Sequence, residues 1–292
     1  MQKLIDRHGW ISLLKDKVVV VSGSRGFLGR EICHVLELAG YKVIRLSQTT
    51  LDYYKISDIC DAIQGAEIMI HAGWAGTNRE QRDDVRLQNL NFQVAQNLIE
   101  ACKISQINHV IGLGSQAEFG NQSAPFSDHQ SMTPVSQYGI AKQSALREFE
   151  NSGIKFTWAR IFSAYGEGDE RNWIFTRVIR ALVNQESITI GSCSQFWSLT
   201  HKTDIALGIK WIIENNILGV LNLTTLEKRT LRSYLEELQC LAGQFDLIKF
   251  TQDLLPQNNL YSAEGKLHFS GWKPMITTDI GFQICLQTNV TG

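Results

Sequence analysis

Ser115, Tyr138 and Lys142 are the side chains whose types and spacing could transfer a proton. Tyr138 and Lys142 stand four residues apart, which places them side by side on one face of a helix. A phenol with its ordinary pKa of about 10 exchanges protons poorly near neutral pH, but a neighbouring ammonium favours the phenolate and lowers that pKa. Ser115 ends an apolar segment that predicts a buried strand, and α/β proteins bind ligands at the carboxyl ends of such strands. The pattern therefore predicts an acid–base group, although a tyrosine and a lysine four apart also occur together by chance.

A glycine-rich turn near the start of the chain is the second feature with chemical meaning. Val18 to Val21 predict a short strand buried on both faces, and Gly23, Gly26 and Gly29 follow it before a helical pattern begins. This layout places backbone N–H groups and the positive end of a helix against a dinucleotide pyrophosphate. The first glycine would allow the tight turn, the second the approach of phosphate, and the third close packing of helix on strand. An ordinary strand-to-helix turn is the alternative.

The elements that must position these residues alternate between strand and helix patterns. Further strands are predicted at 41–47, 67–71, 109–114 and 156–162, and helices at 56–63, about 84–103 and 135–151. Repeated βα units predict an α/β fold of the Rossmann type, with a doubly wound parallel sheet. After about residue 165 the alternation loosens. We therefore place a dinucleotide-binding domain at 1–166, beginning with an amphipathic helix over 1–16, and a smaller C-terminal α/β substrate-binding lobe mainly over 167–292.

The composition excludes several classes of protein. A net charge of −1 in 292 residues gives no electrostatic reason to expect binding to nucleic acid or to an anionic membrane surface. The six cysteines are scattered without a CxxC pair, which favours free thiols in a reducing compartment over disulfides or a metal site. The chain has no apolar run long enough to span a membrane and no apolar signal region near its start. We expect a soluble, cytoplasmic protein that holds no metal.

Five segments follow one another in an order typical of one protein family. They read V-V-S-G-S-R-G-F-L-G at 20–29, N-F-Q-V-A-Q-N-L-I-E-A-C at 91–102, T-P-V-S-Q-Y-G-I-A-K at 133–142, R-I-F-S-A-Y-G at 160–166, and G-W-K-P at 271–274 with D-I-G at 279–281. Together they resemble the motifs of the extended short-chain dehydrogenase/reductase superfamily, whose members mostly act on nucleotide-activated sugars. The resemblance covers nearly the whole chain. It implies a homodimer joined through the helices at 84–103 and 135–151.

The resemblance also implies a role for each residue of the motifs. Tyr138 would be the general acid/base at a sugar carbonyl or hydroxyl, and Ser115 would hydrogen-bond the reacting oxygen. Lys142 would hold the nicotinamide ribose and lower the pKa of Tyr138, while the nicotinamide carries the hydride. The residues implied to contact the cofactor are Gly23, Arg25, Gly26, Phe27, Leu28, Gly29, Arg45, Ser47, Asp52, Tyr53, Ala72, Gly73, Asn91 and Phe162.

The choice between NADP and NAD depends on the end of the second strand. A site specific for NAD usually offers a carboxylate there to the ribose 2′-hydroxyl. This chain has Ser47 at that place, with Arg45 two residues earlier. Arg25 lies inside the glycine turn, as in the relatives that use it to bind a 2′-phosphate. We therefore expect NADP(H), with NAD as the alternative. Asp52 resembles the acidic residue that contacts adenine in the family, and it could equally belong to the N-cap region of a helix.

Departures from the family pattern narrow the reaction. Dehydratases of this superfamily carry Thr-Asp-Glu where this chain has Ser115-Gln116-Ala117, and an amide and a methyl group cannot exchange the protons that elimination of water requires. The expected reaction is therefore reduction of a 4-keto group, or its reverse, with NADP(H). Two alternatives remain: an NAD-dependent nucleotide-sugar epimerase, and a non-catalytic sensor or scaffold that binds a dinucleotide.

The substrate-binding residues are predicted less directly. Many relatives present an arginine to the substrate diphosphate at the place where this chain has Trp197. Other cationic and aromatic side chains of the lobe could replace that contact. The residues expected to contact a nucleotide sugar are Gln116, Asn172, Trp173, Arg177 and Trp197.

Overall fold

The computed structural model describes residues 17–252 and 258–290, so the helix expected over 1–16 lies outside the described residues. The strands are β1 Val18–Ser22, β2 Lys42–Leu46, β3 Ile68–His71, β4 His109–Ser115, β5 Lys155–Ile161, β6 Ala164–Tyr165, β7 Ile188–Ile190, β8 Phe196–Trp197, β9 Thr200–His201, β10 Gly219–Leu223, β11 Arg229–Thr230 and β12 Ile248–Phe250. The helices are α1 Phe27–Leu38, α2 Ile56–Ala62, α3 Val85–Ile104, α4 Gln137–Asn151, α5 Ile174–Val183, α6 Lys202–Glu214, α7 Leu231–Leu241, α8 Lys266–Phe269 and α9 Thr278–Val290. Short 3₁₀ turns cover Arg79–Gln81 and Gln116–Phe119.

Six parallel strands form the central sheet in the order β10-β5-β4-β3-β1-β2. β1 pairs with β2 on one side, where Val20 faces Ile44, and with β3 on the other, where Val20 faces Met69. Every residue of β3 and β4 is buried, because helices cover both faces of the sheet. The strand order reverses between β1 and β3, and α/β sheets bind ligands beside such a reversal. The predicted fold class is confirmed.

Helices cover the two faces of the sheet with separate apolar cores. On one face, α1 and α6 bury Ile32, Leu36 and Ile209 against the sheet. On the other face, α2, α3 and α4 enclose a core that includes Leu98 and Phe149. The C-terminal lobe has its own core between α5, α7 and α9, with Phe175, Leu235 and Phe282 in its centre. The site is therefore supported by rigid elements on every side.

The C-terminal part of the chain contributes to both regions. The sixth strand of the sheet, β10, pairs with β5, and α6 packs on α1, although both elements follow residue 166. The boundary at 166 therefore does not separate the sheet from the lobe. The lobe itself consists of α5, α7, α9 and the two-stranded pairs β7-β12 and β8-β11. No helix among the described residues is both long enough and apolar enough to cross a lipid bilayer.

Candidate active site

A cleft of about 1230 Å³ opens at the carboxyl ends of β1, β3 and β4 and extends to the lobe. It is lined by the three predicted catalytic residues and by most of the predicted binding residues. Those lining it are Ser115, Tyr138, Lys142, Gly23, Arg25, Gly26, Phe27, Leu28, Ser47, Tyr53, Ala72, Gly73, Asn91, Gln116, Asn172, Trp173, Arg177 and Trp197. The fold thus brings together residues that are up to about 170 positions apart in the chain.

The glycine turn provides a backbone surface suited to a pyrophosphate. Gly23 has φ +68°, and a Cβ there would lie 2.3 Å from the Cα of Gly73. A Cβ on Gly29 would lie 2.1 Å from the carbonyl oxygen of Gly23. α1 begins after Gly26 without a side-chain cap and without an acidic residue in its first turn. The free N–H groups and the positive end of the helix therefore face the cleft, and they fit a dinucleotide phosphate.

Hydroxyl groups and one arginine surround the end of β2. The Ser47 hydroxyl lies 2.9 Å from that of Thr49 and 3.2 Å from that of Thr50. Arg25 is exposed and lines the cleft nearby. Arg45 does not line it, because its guanidinium donates to both carboxylate oxygens of Glu37 at 2.9 and 2.7 Å.

Three other residues that were predicted to contact the cofactor do not line the cleft. Asp52 borders an adjoining depression of about 590 Å³ and accepts a hydrogen bond from the N–H of Tyr54. Gly29 acts behind the turn, through packing. The ring of Phe162 is buried against Phe119 and Phe126 instead of facing the cleft.

Asn91 supports the wall of the cleft from α3. Its side-chain oxygen accepts from the N–H of Ala75 at 3.0 Å, and its side-chain nitrogen donates to the Ala75 carbonyl at 2.8 Å. One turn earlier, Gln88 accepts a hydrogen bond from the indole N–H of Trp74. These amides hold the segment after β3 in place, so part of the hydrogen-bonding capacity of Asn91 is used inside the protein.

The predicted acid–base residues meet at the carboxyl end of β4. Ser115 ends that strand, and Tyr138 lies in the first turn of α4, where the Ser136 hydroxyl caps the helix by accepting from the N–H of Gly139. Ser115 and Tyr138 both line the cleft, and the Ser115 side chain lowers the pKa of the phenol. Tyr138 is buried, with 7% of its surface exposed. The serine and the phenol are therefore placed to contact the same substrate atom.

Burial raises the pKa of the Tyr138 phenol, while the Arg82 guanidinium and the Ser115 side chain lower it. Lys142 was expected to be the cation that lowers this pKa, but its ammonium points to other groups than the Tyr138 phenol. Its ammonium donates to the carbonyl of Leu113 at 2.7 Å and lies 3.7 Å from the centre of the Trp74 ring. Burial lowers the pKa of Lys142 to about 7, and Glu118 opposes that change.

Glu118 lies beneath the site and does not line the cleft. The carboxylate is fully buried and accepts hydrogen bonds from the Ser115 N–H, the Trp158 indole and the Arg160 guanidinium, all between 2.8 and 3.2 Å. A buried carboxylate that is paired in this way fixes the end of β4. At the dehydratase positions, Gln116 lines the cleft.

His71 ends β3 at the floor of the cleft. Its Nδ1 lies 2.8 Å from the Ser22 hydroxyl, and burial lowers its pKa to about 3. The imidazole is therefore neutral at physiological pH and joins the ends of β1 and β3.

The lobe side of the cleft is built around Asp169. Its carboxylate accepts from the Arg171 guanidinium at 2.6 and 2.8 Å and from the Trp173 indole at 2.9 Å. The Arg171 guanidinium also lies 5.1 Å from the ring centre of Phe27, which connects the lobe to the glycine turn. The indole nitrogen of Trp197 is buried without a hydrogen-bond partner. These aromatic and cationic groups form a surface that suits a nucleotide and its phosphates.

Two residues of the site were not predicted from the sequence. Trp74 and Arg82 belong to the segment between β3 and α3, which contains many polar and charged residues. Their place at the carboxyl end of a central strand is the feature that could have indicated them. In residues 17–252 and 258–290, no group of three or more His, Cys, Asp or Glu side chains could hold a metal ion.

The chain was compared with protein-family models, with known sequences and with solved structures, and each comparison found similar proteins. The sequence model of the NAD dependent epimerase/dehydratase family matches residues 19–223. The chain is 26% identical to the dTDP-6-deoxy-L-talose 4-dehydrogenase (NAD(+)) of Aggregatibacter actinomycetemcomitans, over 75% of this chain and 88% of that protein. It is 23% identical to a Bacillus subtilis (strain 168) protein named uncharacterized UDP-glucose epimerase YtcB, over 95% and 94%. The structure of RMD from Pseudomonas aeruginosa complexed with NADPH has the same fold, with a TM-score of 0.84 at 18% identity over 94% of this chain and 99% of that one.

Proposed function

We propose that this chain, which belongs to the NAD dependent epimerase/dehydratase family, reduces the 4-keto group of a nucleotide-activated deoxysugar with NADPH. The observation that carries the proposal is the meeting of Tyr138 and Ser115 in the same cleft as the glycine turn. The family assignment makes the protein an NAD(P)-dependent enzyme of the extended short-chain dehydrogenase type. The 4-keto group is our inference from the family resemblance, and the preference for NADPH is our inference from the residues of the cleft.

In the proposed reaction, Tyr138 gives its phenolic proton to the keto oxygen, and the Ser115 hydroxyl donates a hydrogen bond to the same atom. A raised pKa keeps the phenol protonated at neutral pH, which suits a proton donor. Lys142 holds the nicotinamide ribose from the floor of the cleft. When bound, the nicotinamide supplies the hydride that reaches the sugar carbon.

The preference for NADPH is supported by the end of β2. The described residues that line the cleft there are Ser47, Gln48 and Thr49, and none is a carboxylate that would repel a 2′-phosphate. Arg25 supplies an exposed guanidinium beside them, and arginine binds phosphate through charge-assisted hydrogen bonds. The Arg45 guanidinium is paired with Glu37 and does not line the cleft.

Epimerisation with NAD is the second candidate, because one relative that matches most of the chain carries the name of a UDP-glucose epimerase. An epimerase oxidises and then reduces the same carbon, so it needs the same acid–base residues. It differs from a reductase because it consumes no cofactor overall.

The purified protein mixed with NADPH and a panel of 4-keto-6-deoxy sugar nucleotides tests the proposal. We expect one NADPH to be oxidised for each sugar reduced, followed by absorbance and by mass analysis of the sugar. Interconversion of 4-hydroxy epimers without net loss of NADPH would show an epimerase instead. Binding of the dinucleotide with neither reaction across the panel would favour a sensor or scaffold.

A further inference from the structure

The segment that precedes α3 is fastened to the start of the helix that carries Tyr138. The N–H of Tyr138 donates to the carbonyl of Arg82 at 2.8 Å, and the N–H of Gln137 donates to the carboxylate of Asp83 at 3.1 Å. Both donors belong to the first turn of α4, where helical N–H groups have no partner inside the helix. The backbone of residue 82 is thus held beside Tyr138 independently of the Arg82 side chain.

The Arg82 guanidinium lies over the face of the Tyr138 ring. Its central carbon is 4.7 Å from the ring centre, and its Nε is buried without a hydrogen-bond partner. Trp74 packs against the same ring edge-on, at 6.2 Å. In the described part of the chain, no carboxylate forms an ion pair with Arg82, so its charge is not neutralised by a neighbour. A cation over an aromatic face is attracted to the ring, and it attracts a phenolate more strongly.

The other charged groups near Tyr138 come from three elements. Glu118, after β4, raises the pKa of the phenol, and Arg171, from the lobe, lowers it less than Arg82 does. Lys142, on the same helix, has its ammonium 5.9 Å from the ring centre and directed to Leu113 and Trp74. Burial disfavours the phenolate and raises the pKa of Tyr138. Arg82 is the cation that lowers this pKa most.

We propose that Arg82 is a positioning residue for proton transfer, because its guanidinium holds the Tyr138 ring in the cleft and stabilises the phenolate left when the proton moves. This inference rests on the proposed acid–base role of Tyr138. It assigns to Arg82 the electrostatic effect that helix spacing alone assigns to Lys142.

The first test measures the phenol itself, without substrate. Protein carrying fluorinated tyrosine, whose phenol is more acidic, is titrated by ¹⁹F NMR, and the resonance of Tyr138 is identified by its loss in Tyr138→Phe. In Arg82→Met, we expect the pKa of this phenol to rise by about one unit or more. Arg82→Lys keeps the charge and should restore most of the parent value. Arg86→Met removes an exposed arginine from the same region and should leave the titration unchanged.

The second test is the pH profile of kcat for oxidation of the sugar hydroxyl, where Tyr138 must accept the proton. A higher pKa leaves less phenolate at a given pH. In Arg82→Met, the acid limb of the pH profile of kcat should therefore move to higher pH by as many units as the pKa of the phenol rises. The rate at pH 7 should then fall about tenfold for each unit.

An unchanged titration in Arg82→Met would overturn the inference, and so would a rise in the KM for the sugar with no movement of the pH profile. The proposed function is tested separately. Normal turnover in Tyr138→Phe would refute the acid–base role, while the effect of Arg82 on the titration could still be measured.

Discussion

At Tyr138, burial and the surrounding charges act in opposite directions. Burial raises the pKa of the phenol, and Arg82 and Ser115 lower it. A phenol that is protonated at rest, with a cation ready to stabilise its conjugate base, suits a group that gives a proton in one direction and accepts it in the other. Burial lowers the pKa of Lys142 to about 7, and its ammonium contacts the Leu113 carbonyl and the Trp74 ring.

Arg25 decides the cofactor preference in this account. Arg25→Met should lower kcat/KM for NADPH by about 10- to 100-fold and leave kcat/KM for NADH nearly unchanged, since only the 2′-phosphate loses a charge-assisted contact. Steady-state kinetics with both cofactors measure this change.

Arg45→Met is the matched control, because the Arg45 guanidinium is paired with Glu37 on the outer side of β2. It should leave the ratio of the two kcat/KM values within about twofold. A parent enzyme that prefers NADH, or an equal effect of both substitutions, would contradict the assignment of Arg25.

For single residues, the sequence indicated which side chains take part in the site better than it indicated which side chains each of them contacts. The spacing of Tyr138 and Lys142 predicted one helix face for both, and the structure has both on α4 and lining the cleft. It could not predict that Lys142 turns towards Trp74, because helix spacing fixes the Cβ positions and not the direction of a long side chain. Arg82 reaches Tyr138 only through tertiary structure, and no local pattern reports such a contact.

The elements around the site are arranged so that backbone groups approach each other closely. The turn after β1 touches the turn after β3 at Gly23 and Gly73, and α1 packs against the turn through Gly29. The buried carboxylate of Glu118 ties the end of β4 to β5 through Trp158 and Arg160.

The order of the first five sheet strands along the chain followed from buried apolar runs and glycine turns. β10 was not predicted, because its five residues, Gly219–Leu223, carry no pattern that separates a sheet strand from a lobe segment.

The packing at Gly29 can be tested by two substitutions in the same turn. Alanine inside a helix normally stabilises it by about 1 kcal/mol relative to glycine. In Gly29→Ala the new Cβ would meet the Gly23 carbonyl oxygen at 2.1 Å, so we expect the free energy of unfolding to fall by about 1–3 kcal/mol instead. Urea unfolding measures this change.

Gly26→Ala provides the comparison, because its Cβ would lie 3.2 Å from the same oxygen. Its stability should change by less than about 1 kcal/mol, while dinucleotide affinity falls because the methyl group faces the phosphate position. Gly29→Ala with the same stability as the parent, or a higher one, would show that the close contact does not constrain the turn.

Across the whole molecule, ion pairs connect α1 and α6, which cover one face of the sheet, with the loop at Glu167 that leads to the lobe. The Lys202 ammonium lies 2.6 Å from a Glu167 oxygen and 3.4 Å from a Glu31 oxygen, and the Thr203 hydroxyl donates to Glu31 at 2.7 Å. The cleft lies between the sheet and the lobe, so the residues that line it come from both sides of residue 166. The helices α3 and α4 pack on each other and leave apolar side chains such as Val85 and Ile140 exposed.

We expect the protein to form a homodimer through the exposed faces of α3 and α4, because exposed apolar groups near one another favour association. Sedimentation equilibrium should give twice the chain mass of 32.9 kDa. Ile140→Glu should weaken the dimer by at least tenfold, whereas Phe269→Glu, at an exposed position on α8, should not. A parent protein that remains a monomer at every concentration would refute this prediction.

The most direct test of the central claim is Tyr138→Phe, measured for both turnover and cofactor affinity. The substitution removes one oxygen and keeps the ring against Arg82 and Trp74. We expect kcat for reduction of the 4-keto sugar to fall by about 10²- to 10⁴-fold while the Kd for NADPH stays within about twofold of the parent value. Turnover close to that of the parent would contradict the claim that this phenol carries the proton.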